Sequence, residues 1–182
     1  AIAAMMAASA NSLSAKDDGR QSAIRVATTQ VRLGAYIAPS RCIVNKSNDQ
    51  ITLWFEDTDD SKTVHASEVR WIQFDEESNI LVVKFIDFPT HWTQSLIDDA
   101  NIECSSLTDY DLLLTSFESS NLIDSIPLVD SIQSCQFWIN TPNHLDATQV
   151  SVRFSLESNL GTTIDSIIDE TIRLHQLPSE EQ

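Results

Sequence analysis

From Thr28 onward, large apolar and polar residues alternate in short runs that read as strands. Ile51, Leu53 and Phe55 alternate with Thr52, Trp54 and Glu56, which is the period of a strand with one face on a core. Asp57 to Asp60 then supplies an acidic turn, and Lys62 to Ala66 is predicted as the return strand of a hairpin. Val69 to Asp75, with Trp71 and Phe74, and Ile80 to Asp87 extend the series around the turn Glu76 to Asn79. Upstream, Val31 to Ile37 and Arg41 to Asn45 are predicted strands separated at Pro39, which cannot donate into a central ladder. Near the other end, Val150, Val152, Phe154 and Leu156 alternate with Ser151, Arg153, Ser155 and Glu157. Gly161 and Thr162 then lead into a predicted helix. Thr162 stands as its cap with Asp165 three positions on, Ile164, Ile167, Ile168 and Ile172 form one stripe, and Pro178 stops it.

Residues 88–148 carry a weaker pattern. Trp92 to Ala100 reads as a short helix with Thr90 at its cap, while Leu112-Leu113-Leu114, Ile126 to Val129 and Phe137-Trp138-Ile139 read as strands. Residues 1–27 are Ala- and Ser-rich and read as a leader, packed on the body or flexible. The expected organisation is therefore a single mainly β domain over 28–178, a small barrel or sandwich closed by one C-terminal helix. It has a long insertion at about 89–148 and an acidic tail at 179–182.

Composition changes the picture mainly through charge. The formal net charge is -16, and it is uneven: residues 1–84 hold nine basic and eleven acidic side chains, residues 85–182 two and sixteen. Past Lys84 the cations are Arg153 and Arg173, so this half repels a phosphate backbone and an anionic bilayer alike. Direct nucleic-acid binding and membrane insertion are not expected; a partner with a basic protein surface is, unless the acidity serves solubility alone. Cys42, Cys104 and Cys135 are odd in number and spaced for neither a disulfide framework nor zinc, which favours a reducing, intracellular compartment.

Candidate chemistry is sparse. None of His65, His91, His144 and His175 stands three or four residues from another histidine or a cysteine, and three glycines leave no phosphate-cradling loop. No cofactor and no metal ligand set is expected. Asp98-Asp99 and the Asp109/Asp111 pair could hold a hard cation or do acid/base work, or simply be solvated turns. Leu112-Leu113-Leu114 behind Asp109 and Asp111, and Ile126-Pro127-Leu128-Val129 before Asp130, are apolar segments flanked by acid. Such segments can join a partner's sheet edge, or be ordinary core strands. Asp98, Asp99, Asp109, Asp111, Leu112, Leu113 and Leu114 are thus the candidate partner-binding residues. A hydrolase assembled from scattered Ser, His and Asp is the alternative from a different class.

Strands in series, a bend, further strands and a closing helix resemble the order of the pleckstrin-homology (PH) superfold, over about residues 28–88 and 149–176. Val31 to Gly34, Cys42 to Val44, Ile51 to Phe55 and His65 to Val69 resemble the non-catalytic PH-like region of some SUMO-specific proteases. That resemblance implies no activity, since the protease's catalytic residues would lie outside this chain. Gly34 to Arg41, Arg153-Phe154 and the stretch ending Leu177-Pro178 before Glu180-Glu181 resemble the acidic PH-like chaperone of spliceosomal Sm proteins, although Cys42-Ile43-Val44 stands where that family has an aromatic residue. Both imply a non-catalytic interaction module or accessory subunit of a larger assembly.

Overall fold

The computed structural model describes residues 2–58, 60–158 and 161–179, with residues 2–18 as backbone only. It opens with one long helix, α1 (Ile2–Ile37), where a strand over Val31 to Ile37 was expected. The reason lies in spacing: Ser22, Thr29, Leu33 and Ile37 are buried and Val26 packs against the same core, a helical period that includes small polar positions. Residues on both sides of position 27 belong to this helix.

Strands β1 (Cys42–Lys46) and β2 (Gln50–Trp54) pair as a hairpin. The expected partner of β2 at Lys62 to Ala66 does not join it. Instead, β3 (Val64–His65) leaves the sheet, and β2 pairs with β4 (Val69–Asp75), which pairs with β5 (Ile80–Ile86). A short helix, α2 (Gln94–Ala100), follows, capped by Thr93 accepting from Leu96 N–H, not by Thr90. Next come β6 (Glu103–Cys104), antiparallel to β3, and helix α3 (Tyr110–Ser119). Leu112 to Leu114 lie in α3, so the strand expected there is a helix. Asp109 caps it by accepting from the N–H groups of Asp111 and Leu112, and Tyr110, Leu113, Leu114 and Phe117 form its buried face.

Strand β7 (Ile123–Val129) pairs with β5 and completes a five-stranded antiparallel sheet in the order β1-β2-β4-β5-β7. A second sheet contains β8 (Ile132–Ile139), β9 (Gln149–Glu157) and β10 (Thr163–Thr171), in the order β10-β9-β8. The helix expected after Thr162 is therefore a strand, paired with β9 along its whole length from Thr163↔Glu157 to Thr171↔Gln149. Ile164, Ile168 and Ile172 are separated by four, an even number, and so share a face under either period. Ile167 separates the two readings, and it is 63% exposed while Ile168 is 3% exposed. Density of β-branched residues from Thr162 to Ile172 tips the choice toward a strand.

The five-stranded sheet is buried on both faces. Ile43, Ile51, Leu53, Ile72, Phe74, Leu81 and Val83 face the second sheet and Leu33 and Ile37 of α1, forming the larger core. Cys42, Trp54, Val69, Trp71 and Ile86 face the other way, toward α3 and the β3/β6 pair, forming the second core. Strand β8 runs across the hairpin ends, since Ile132 N–H donates to Asn79 O and Phe137 N–H to Asn48 O. The two sheets are not closed into a barrel.

Helix α1 lies against β10 and β7. Gly34 lets it come close: a Cβ there would stand 3.2 Å from a Glu170 carboxylate oxygen. Arg25 donates to Glu157 O and pairs with Asp130, and Arg32 donates to Leu128 O at 2.7 Å. The neighbouring edge strand, β7, is blunted. Asp87 N–H donates to Leu122 O, so the alternation of antiparallel pairing turns the backbone groups of Ile123, Ser125 and Pro127 outward. Pro127 has no N–H, and Ser125 N–H is taken by Asp124 Oδ1 at 2.7 Å. The segment Ile126 to Val129 is thus a strand of this domain whose outer side offers few groups to another chain.

Candidate functional site

A groove of about 1050 Å³ opens over the second core. Its walls are β1 at Val44 and Asn45, β6, the 105–109 loop with the first turn of α3, the turn at His144-Leu145, and Leu177 to Ser179. The walls meet because the C-terminal stretch is tied back along the fold: Gln176 N–H donates to Arg41 O, Ser179 N–H to Lys62 O, and His175 Nε2 bonds Leu145 O at 2.8 Å. Val44, Val64, Tyr110 and Leu145 give the groove an apolar floor.

Among the described residues three carboxylates line it, Glu103, Asp109 and Asp111, and no lysine or arginine does. Asp111 is anchored to the sheet by Gln50 Nε2 at 2.7 Å and Asn45 Nδ2 at 3.3 Å, and Asp109 is engaged in capping α3. Glu103, exposed on β6, has the freest carboxylate of the three. Leu112 is 68% exposed beside Asp111, Leu177 is 51% exposed in the wall, and Leu107 stands out at 93% from the 105–109 loop. The groove therefore combines negative charge with an exposed leucine in its wall, while Leu107 and Leu112 are exposed next to lining residues in the sequence.

The residues singled out from the sequence divide three ways. Asp109 and Asp111 lie together in the groove with Leu112 next to them. Leu113 and Leu114 are buried in the second core, where they hold α3 to the sheet. Asp98 and Asp99 are exposed in the last turn of α2, away from the groove lining, with Asp98 accepting from Gln94 Nε2. His144 and Leu177 were missed because only the tertiary path of the chain brings them to Asp109, and Glu103 because a lone acid six residues ahead of the Asp109/Asp111 pair carries no motif.

Burial pushes the Cys104 thiol beneath the groove up to about 12, with the Glu103 and Glu68 charges adding to the effect, so it is a poor nucleophile. Burial raises Tyr110 as well. Within the groove Ser105 Oγ accepts from Leu107 N–H at 3.2 Å, and His144 has no hydroxyl partner among the described residues; activation of a serine requires that contact. No group of three or more His, Cys, Asp or Glu among the described residues is disposed to hold a metal ion. What the arrangement offers is electrostatic attraction at the mouth and apolar contact beneath. No helix among the described residues is long and apolar enough to cross a membrane. Compared with models of known protein families, with curated proteins and with solved structures, the chain matches none.

Proposed function

We propose that the chain is a non-catalytic interaction module, or an accessory subunit of a larger assembly, that docks a basic segment of a partner protein in the acidic groove. The observation that carries this is the pairing, among the described residues, of three carboxylates and no cation with an apolar floor. Arginine or lysine side chains of a partner would meet Glu103, Asp109 and Asp111, and its apolar residues would meet Leu112, Leu177 and the floor. Two kinds of partner fit this chemistry: a basic RNA-binding protein of the Sm type, as the chaperone resemblance implies, and any other basic amphipathic segment. The PH-like reading rests on the meander β1-β2-β4-β5, and has to accommodate β10 where that superfold has its closing helix.

Fluorescence anisotropy with a labelled peptide of alternating arginine and leucine tests the reading. The peptide should bind while its glutamate–leucine counterpart does not, and affinity should fall tenfold or more between low and high salt. Glu103→Lys should weaken binding at least tenfold, whereas the double reversal Asp98→Lys/Asp99→Lys should change it little. Equal weakening by both variants would mean that net charge alone attracts the peptide, and the groove reading would be wrong.

A further inference from the structure

Serine and threonine are abundant in this acidic chain, and acid-directed protein kinases select a hydroxyl followed three residues later by a carboxylate. Among residues with described side chains, Ser95, Ser106, Thr108, Thr115, Thr162 and Ser166 have one. Sequence alone does not rank them, but the fold does. A kinase threads its substrate in extended form, so a hydroxyl within a helix or a paired strand requires local unfolding first. Ser95 lies in α2 and Thr115 in α3, where Thr115 Oγ1 donates to Asp111 O at 2.9 Å. Ser166 is half-buried in β10 opposite Phe154. Thr162 shares a hydrogen bond with Ser158 at 2.7 Å, and Thr108 Oγ1 accepts from Ser105 N–H at 2.9 Å. Ser106 alone of the six is exposed, lies outside helix and strand, and has a hydroxyl with no partner among the described residues.

We propose that Ser106 is a phosphorylation site for an acid-directed serine/threonine kinase. It sits at the tip of a tight turn: Ser105 and Thr108 bond each other twice, through Thr108 N–H to Ser105 O and Ser105 N–H to Thr108 Oγ1. Between them, Ser106 and Leu107 project outward. Asp109 at the third position and Asp111 at the fifth give the charge that such a kinase reads, and Glu103 precedes them. Ser106 Oγ would take the γ-phosphoryl group of a nucleoside triphosphate. A new O–P bond forms as the bond to the nucleoside diphosphate breaks, and the hydroxyl proton leaves to the kinase's base. The product adds roughly -1.5 to -2 charges to a wall of the groove, and on the docking reading above it would tighten the hold on a cationic partner.

The test incubates the folded protein with a purified acid-directed kinase and ATP and maps phosphate by peptide mass spectrometry. Phosphate should appear at Ser106, and Ser106→Ala should abolish it while Ser95→Ala leaves it unchanged. The urea-unfolded chain, diluted into the same reaction, should also be modified at Ser95 or Thr115. Overturning results are absence of phosphate from the folded protein, phosphate elsewhere, or undiminished incorporation in Ser106→Ala. No partner is present in this assay, so failure here leaves the groove reading standing, and failure of the peptide experiment leaves Ser106 standing.

Discussion

Glu68 is 1% exposed and yet its carboxylate has four donors around it. Oε2 accepts from Trp54 Nε1 (3.1 Å) and His65 N–H (3.2 Å), Oε1 from Thr58 N–H (2.6 Å) and Thr58 Oγ1 (2.9 Å). This residue fastens the loop between β2 and β3 to the sheet, the loop that from sequence looked like a simple hairpin turn. Nothing in a run of residues shows a buried acid acting as a hub. Glu68→Gln keeps one acceptor and turns the other into a donor facing two donors, so it should cost about 3 kcal/mol, read as a lower urea midpoint with unchanged slope. Arg70 is held comparably: its guanidinium lies 5.0 Å from the Phe55 ring centroid and 5.4 Å from that of Phe85, and it reaches Glu56.

The three thiols, whose spacing fits no disulfide framework, are free and buried in the structure. Burial pushes each from 9.0 up to about 12. A thiol whose value is higher in the folded state loses its proton first in the unfolded chain, so stability is whole below pH 9 and declines as pH rises toward 12. A pH series of urea unfolding curves should show that decline, and the triple variant Cys42→Ala/Cys104→Ala/Cys135→Ala should flatten it. At pH 8 an aromatic disulfide reagent should react with none of the thiols in the native protein and with all of them in denaturant.

At the scale of elements, strands with one polar face were legible and elements with mixed signals were not. The strand around Val150 to Leu156 is found where alternation put it, because burial of one face demands that period; Val69–Asp75, buried on both faces, was legible from its bulky Trp71 and Phe74 instead. Strand β10 was read as a helix because Ile164, Ile168 and, just past its end, Ile172 satisfy both periods. The two isoleucines that differ provide the test: Ile168→Ala should cost about 2–5 kcal/mol, and Ile167→Ala should stay within about 0.5 kcal/mol. A helix would have made both costly. Helix α1 was missed because Ser22 and Thr29 hold core positions that a count of large apolar residues skips.

The edge at β7 carries its own expectation. Pro127→Thr restores an outward N–H, and Arg32→Met releases the Leu128 carbonyl. The double variant should show concentration-dependent self-association by sedimentation velocity under conditions in which the parent does not change with concentration. An unchanged sedimentation coefficient would mean that Asp124 and the flanking acids protect the edge alone.

Across the whole molecule, the uneven charge seen in the sequence has a structural counterpart. Several cations of the basic half are engaged internally: Arg25 and Arg32 at the β7–β8 turn, Arg70 between two rings, Lys84 with Glu118. The acids of the second half have few such partners, and three of them line the groove. Charge balance was therefore legible from composition, and the place where it concentrates was not, because Glu103, Asp109 and His144 meet only through the packing of β6, α3 and the 144–145 turn.

The five-stranded sheet carries two covers of unequal depth. Toward the second sheet most core side chains are wholly excluded from water, while in α3 and the chain just after it Tyr110, Leu113, Leu114, Phe117 and Leu122 retain 5–8% exposure. A thinner cover opens more readily than the domain as a whole unfolds. Amide hydrogens of α3 should thus exchange with deuterium faster than those of β4 and β9, through an opening that leaves the sandwich intact. Because the groove is built on that cover, an occupant binds the closed form alone and must slow the exchange in proportion to its own affinity. Exchange at Leu113 and Phe117, measured with and without the arginine–leucine peptide, then reports occupancy from inside the protein. If the groove docks a partner as proposed, the same thin cover also sets how quickly that surface is lost and reformed.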